Sequence, residues 1–87
     1  MSDLINAVDA DDASFPVGTV LVEKHHSLPA TMLRTHVSRT ADGRIEPDRG
    51  NVWMAIHSDA SFLFYSSLEE FVQVQGGPGL FQEVFRP

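Results

Sequence analysis

Four histidines are the first residues in this 87-residue chain that could do chemistry. His25 and His26 are adjacent, so in a strand they point to opposite faces and cannot share one metal ion. His36 and His57 lie on separate segments, and no His-x-His or His-Glu-x-x-His spacing joins them. A nucleolytic reading would pair His26, His36 or His57 with Arg34 or Arg39 as a phosphate clamp. The formal charge of −6, from six Lys and Arg against twelve Asp and Glu, works against the approach of a polyanion. His57-Ser58-Asp59 has the letters of a hydrolytic triad, but contiguous residues at a strand end do not converge on one point. Asp9-x-Asp11-Asp12 opens like a calcium loop. Ala13, Ser14 and Val20 then stand where that loop needs a ligand, a Gly and a Glu. The chain has no Cys, which removes disulfides, thiolate metal sites and cysteine nucleophiles. No catalytic residue, metal site or cofactor is assigned on this basis.

The aromatic residues point to contact rather than catalysis. Six Phe, one Tyr and one Trp occur in the chain, and five of these rings crowd into residues 53–71. A domain of this size cannot hide them all on one sheet face, so some are expected on a docking surface. Trp, Tyr and Arg are the usual anchors of protein interfaces. Trp53, Tyr65 and Arg34 are therefore the candidate protein-binding patch, in an acidic surround that favours a basic partner surface.

These residues need elements to position them. Thr19–His26, Thr31–Arg39, Val52–His57, Phe62–Tyr65 and Leu80–Phe85 alternate in period two and are rich in β-branched or aromatic residues, so each reads as a strand. Pro29, Asp42-Gly43 and the run Gly76-Gly77-Pro78-Gly79 mark breaks and turns. Ser66 and Ser67 each stand three residues before a Glu and start a helix. Val72–Gln75 then returns to period two. This reads as one helical turn at Ser67–Phe71 leading into a further strand; the competing reading is a single helix from Ser67 to Gln75 ended by Gly76. The fold class is mainly β: a small SH3-like barrel or curved antiparallel sheet of five to six strands with one short helical turn. Val20, Val22, Leu33, Val37, Val52, Met54, Ile56, Phe62, Phe64 and Val84 are its expected core. Residues 15–87 form the single β-domain. Residues 1–14 precede it as an acidic arm or short helix, with Leu4, Ile5 and Val8 on one helical face.

Charge is segregated. Lys24, Arg34, Arg39, Arg44 and Arg49 fall in one window, whereas Ser58–Phe85 holds four acids and no base. The acidic balance argues against free nucleic acid as the partner. No stretch has the ~20 apolar residues of a membrane span, and the N-terminus lacks a signal-peptide pattern. A cytoplasmic protein is expected.

The run Phe15-Pro16-Val17-Gly18-Thr19-Val20-Leu21-Val22, followed by Gly50-Asn51-Val52-Trp53, resembles small uncharacterised proteins of actinobacterial bacteriophages. These are similar to SH3-like or otherwise curved β-domains. The resemblance covers about the middle half of the chain and brings no catalytic residues. It implies a phage-encoded module that acts by binding, in the host cytoplasm, as an inhibitor or adaptor of a host protein. A decoration or connector protein of the virion is the alternative, and a small metal- or His-dependent nuclease the third. The expected partner is a protein, of the host or a further copy of the chain.

Overall fold

The computed structural model describes residues 4–24 and 29–87. Among these residues six strands form one antiparallel sheet, curled into a half-barrel, with one short α-helix on its concave side. The strands are β1 (Leu4–Asn6), β2 (Val20–Glu23), β3 (Thr31–Arg39), β4 (Ile45–Ile56), β5 (Phe62–Tyr65) and β6 (Leu80–Phe85). Their spatial order is β1-β6-β2-β3-β4-β5, so β1 and β5 are the edges of an open sheet. The helix, α1 (Leu68–Gln75), lies between β5 and β6 in sequence.

Three elements differ from the expectation. Val72–Gln75 belongs to α1, so the single-helix reading holds over the strand. The Ser67 side chain accepts a hydrogen bond from the Glu70 amide at 3.0 Å, and Gly76 closes the helix at φ +78°. With both ends capped, the period-two pattern of four residues loses to the helix they continue. Leu4–Asn6 is a strand rather than a helical turn, because β6 offers it a free edge: Ile5 pairs with Phe81. A 3-10 turn, Asp12–Ser14, follows. Finally, β4 begins at Ile45, seven residues before the expected Val52. Ile45, Glu46 and Pro47 pair with the end of β3 and extend the hairpin beyond the rest of the sheet.

The largest correction concerns which face is inside. Directly paired residues share a face, so the register assigns every side chain. Leu21, Met32 and Ala55 lie in one transverse row, and Arg34, Trp53 and Tyr65 in another. These rows face α1 and are buried, together with Phe81, Leu68 and Phe71. The expected core residues Val20, Val22, Leu33, Met54, Ile56, Phe62 and Phe64 lie on the opposite, convex face and are only half-buried. Val37 is also half-buried, and Val84 is exposed. Val52 alone of that set is buried. In β4 and β5 both faces are apolar, and in β2 and β3 the buried face is the one that carries Glu23 and Arg34, so alternation does not find the inside. A one-residue shift of the choice exchanges every side chain.

Candidate binding surface

Trp53, Tyr65 and Arg34 are brought together, as their pairing predicts, but in the interior. They are 0%, 6% and 4% exposed. The Arg34 guanidinium stacks on the Trp53 ring at 5.1 Å. The Tyr65 hydroxyl accepts a hydrogen bond from Gln75 Nε2 at 2.8 Å, which ties β5 to the end of α1. The expected docking patch is therefore corrected. These side chains hold the concave face together and are not available as exposed anchors.

The acidic leader is corrected in the same way at Asp12. Its Oδ1 accepts from Trp53 Nε1 at 2.7 Å and from the Leu68 amide at 3.0 Å. One carboxylate oxygen thus closes the 3-10 turn onto β4 and onto the first turn of α1, where the helix N-terminus favours negative charge. Phe15 packs edge-on against Trp53 at 5.4 Å, and Arg86 lies over Phe15 at 5.2 Å while its Nη2 meets Glu83 at 2.7 Å. Nε and Nη1 of Arg34 are buried without a hydrogen-bond partner. Burial lowers its pKa, and the charge of Asp12 opposes that shift. Phe71 sits at the centre of the concave side, with Tyr65 at 5.2 Å, Phe81 at 6.0 Å and His57 stacked at 6.5 Å.

The histidine readings gain no geometry from the fold. His57 lies one residue beyond β4, whose last residue Ile56 pairs with Thr31, whereas His36 is five residues from Thr31 along β3, which puts about 17 Å of extended chain between the two levels. His57, Ser58, Asp59, Ser61, Leu63 and Gln75 line one shallow cleft of about 380 Å³. Within it the Asp59 carboxylate accepts from the Ser61 amide at 3.0 Å and the Ser61 hydroxyl at 2.6 Å. Those bonds lower its pKa, with a smaller contribution from His57. The carboxylate is thus spent on the turn rather than on orienting an imidazole. Among the described residues no group of three His, Cys, Asp or Glu is placed to hold a metal ion. The His25-His26 pair lies outside the described residues. No helix among the described residues is long and apolar enough to cross a membrane.

The convex face presents continuous rows of apolar side chains, most of them half-buried, while Val8, Val17, Leu63 and Val74 are exposed away from it. The register places Phe85, Val20, Leu33, Met54 and Phe64 in one transverse row that crosses β6, β2, β3, β4 and β5. The next row is Leu4, Gln82, Val22, Thr31, Ile56 and Phe62, with only Gln82 and Thr31 polar. A bulge in β6 at Val84 adds to this surface, leaving Val84 62% and Phe85 56% exposed. Phe62 and Phe64 meet edge-on at 5.8 Å. Between Thr35 and Val37 the register of the β3–β4 hairpin shifts, and β4 uses five residue steps where β3 uses two. The outer half of the hairpin carries Arg39 to within 5.0 Å of the Phe62 ring. Sequence reasoning picked all of these apolar positions except Leu4 and Phe85, but assigned them to the core. The signal that could have separated the faces was the pair of strong helix caps at Ser67 and Gly76, because a helix must cover one face only. No protein-family model, curated protein or solved structure matches the chain.

Proposed function

We propose that this chain is a non-catalytic protein-binding module that acts through the convex face of its sheet. The observation that carries this is the five-residue apolar row from Phe85 to Phe64, which lies on the side of the sheet opposite the helix. Large contiguous apolar patches are uncommon on isolated soluble domains and mark sites of association. The resemblance of residues 15–22 and 50–53 to small phage proteins supports a phage-encoded inhibitor or adaptor working in the host cytoplasm. A virion component is the second reading, favoured by the fit of a carboxylate-free face to repeated copies of one chain. The test compares the wild-type chain with a Leu33→Asp variant as baits in host lysate, alongside mass spectrometry of purified particles. A partner held by the wild type and lost by the variant is expected. Equal capture by both baits overturns the assignment of the face.

A further inference from the structure

We infer that the convex face is the interface of a homodimer, in which the sheets of two copies of this chain pack face to face. This rests on the reading of that face as the binding surface and names its occupant.

Three observations favour a second copy. The first is charge. No carboxylate occupies a paired convex-face position among the described residues, and the cations Lys24 and Arg39 stand at its margins, on Gln82 and over Phe62. The chain as a whole carries −6. Its exposed acids lie on the leading segment (Asp9, Asp11), the hairpin tip (Asp42, Glu46), the β4–β5 turn (Asp59) and the helix (Glu69). Two identical copies that meet by any of those surfaces bring carboxylates together. Two that meet by the convex face do not.

The second is size. Five gaps between six strands span about 24 Å, and the two outward rows that cross the sheet, Phe85 to Phe64 and Leu4 to Phe62, span about 13–14 Å. The projected area is therefore about 300–350 Å², and the accessible area of a corrugated side-chain surface is larger. A standard interface removes about 800 Å² per partner, so this face fits a small, concentration-dependent dimer rather than an obligate one.

The third is layering. A sheet with a helix on one side and an apolar second side is half of a stable arrangement, which a second sheet at about 10 Å completes. The edges offer less: β1 and β5 are three and four residues long.

The experiment is sedimentation velocity with light scattering on the full chain over about 1–300 μM, in low and high salt. Wild type should reach twice the monomer mass, and high salt should not dissociate it, because the contact is apolar. Leu33→Asp and Met54→Asp should each remain monomeric throughout the range. Native emission from the buried Trp53 and an unchanged circular dichroism spectrum establish that they fold. A folded wild type that stays monomeric to 300 μM overturns the inference. So does a dimer that survives both substitutions. The reading of the face fares separately. If the wild type is monomeric but Leu33→Asp loses a captured partner, the dimer falls and the binding module stands. If neither property depends on Leu33, both fall.

Discussion

Asp12 is the residue whose replacement tests the structure most sharply. It is the acceptor for two donors on different elements, the Trp53 indole at 2.7 Å and the Leu68 amide at 3.0 Å. Both donor residues are completely buried. In Asp12→Ala each N–H loses its partner, at about 1–3 kcal/mol for an unsatisfied buried donor. Asp12 is itself partly exposed, so water reaches the gap and the lower half of that range applies to each bond. Arg34 also loses the nearby charge that offsets its burial. The expected loss is about 2–4 kcal/mol, against a total of roughly 4–13 kcal/mol for a domain of this length. At about 4–8 °C per kcal/mol, the midpoint of thermal unfolding should fall by roughly 8–32 °C. Asp12→Asn keeps one oxygen acceptor without charge and should lose about half as much. Urea unfolding read by far-ultraviolet circular dichroism is the assay, with emission from the single Trp as a second probe. A double-mutant cycle with Trp53→Phe isolates the indole bond from the smaller ring's packing loss and should give a coupling of about 1–2 kcal/mol. An Asp12→Ala variant within about 0.5 kcal/mol of wild type, or a coupling of zero, refutes the carboxylate clasp.

Phe71→Ala should cost about 3–5 kcal/mol by urea titration, since its buried ring is ringed by Tyr65, Phe81 and His57. Gly76→Ala meets no neighbouring atom, yet its φ of +78° disfavours a side chain, so a loss of about 1 kcal/mol is expected. Glu70 accepts from the Ser66 hydroxyl and from the Ser66 amide at 2.7 Å, and these bonds hold its pKa below the ordinary 4.5. A carboxylate depressed on folding contributes stability above its unfolded pKa and loses it as pH falls through the folded one. Glu70→Gln should therefore be less stable than wild type by roughly 0.5 kcal/mol at neutral pH, a surface-scale effect, with the gap closing under acid. Met32→Asp should abolish cooperative unfolding, whereas Met54→Asp should leave a folded chain, because the first side chain faces α1 and the second faces away.

The fold class and four of the six strand positions are legible in the sequence because β-branched runs, Pro and Gly breaks and capping signals act locally. The faces are not, and the reason is specific. Val20 and Leu21, Met32 and Leu33, Trp53 and Met54, Phe64 and Tyr65 are each a pair of apolar neighbours, so period two has no polar side to mark the exterior. Counting charges then misleads, because the buried face holds the ionisable residues Glu23 and Arg34. Each is accommodated by a contact that spacing does not reveal. Glu23 Oε1 accepts from the Ala30 amide at 3.3 Å, and the Arg34 guanidinium lies over the Trp53 ring. The choice is made by long-range partners: Leu68 and Phe71 from the helix, and Phe15 from the leading segment. For the same reason Trp53, Tyr65 and Arg34 form a real cluster, but as core. Asp12 was legible only as one acid among several, since nothing local signals an acceptor for a donor 41 residues away.

Edges and faces divide the means by which this sheet can associate. An open sheet invites pairing through unpaired backbone groups at its edges. Here one edge is three residues long and the other four. The part of β4 that runs beyond β5 carries Pro47, which has no N–H to offer, and Gly50, which has no side chain to pack. Its partner strand is out of step across the bulge near Thr35, so that stretch bends instead of presenting a straight template. The convex face has no such protection. Its two full rows contain no charged residue, and the nearest cations lie toward their ends, Lys24 on Gln82 and Arg39 over Phe62. Side chains rather than backbone must then carry any association, and side-chain packing is specific to shape in a way that edge pairing is not. A domain that blunts its edges while leaving one face apolar favours a defined contact over open-ended growth.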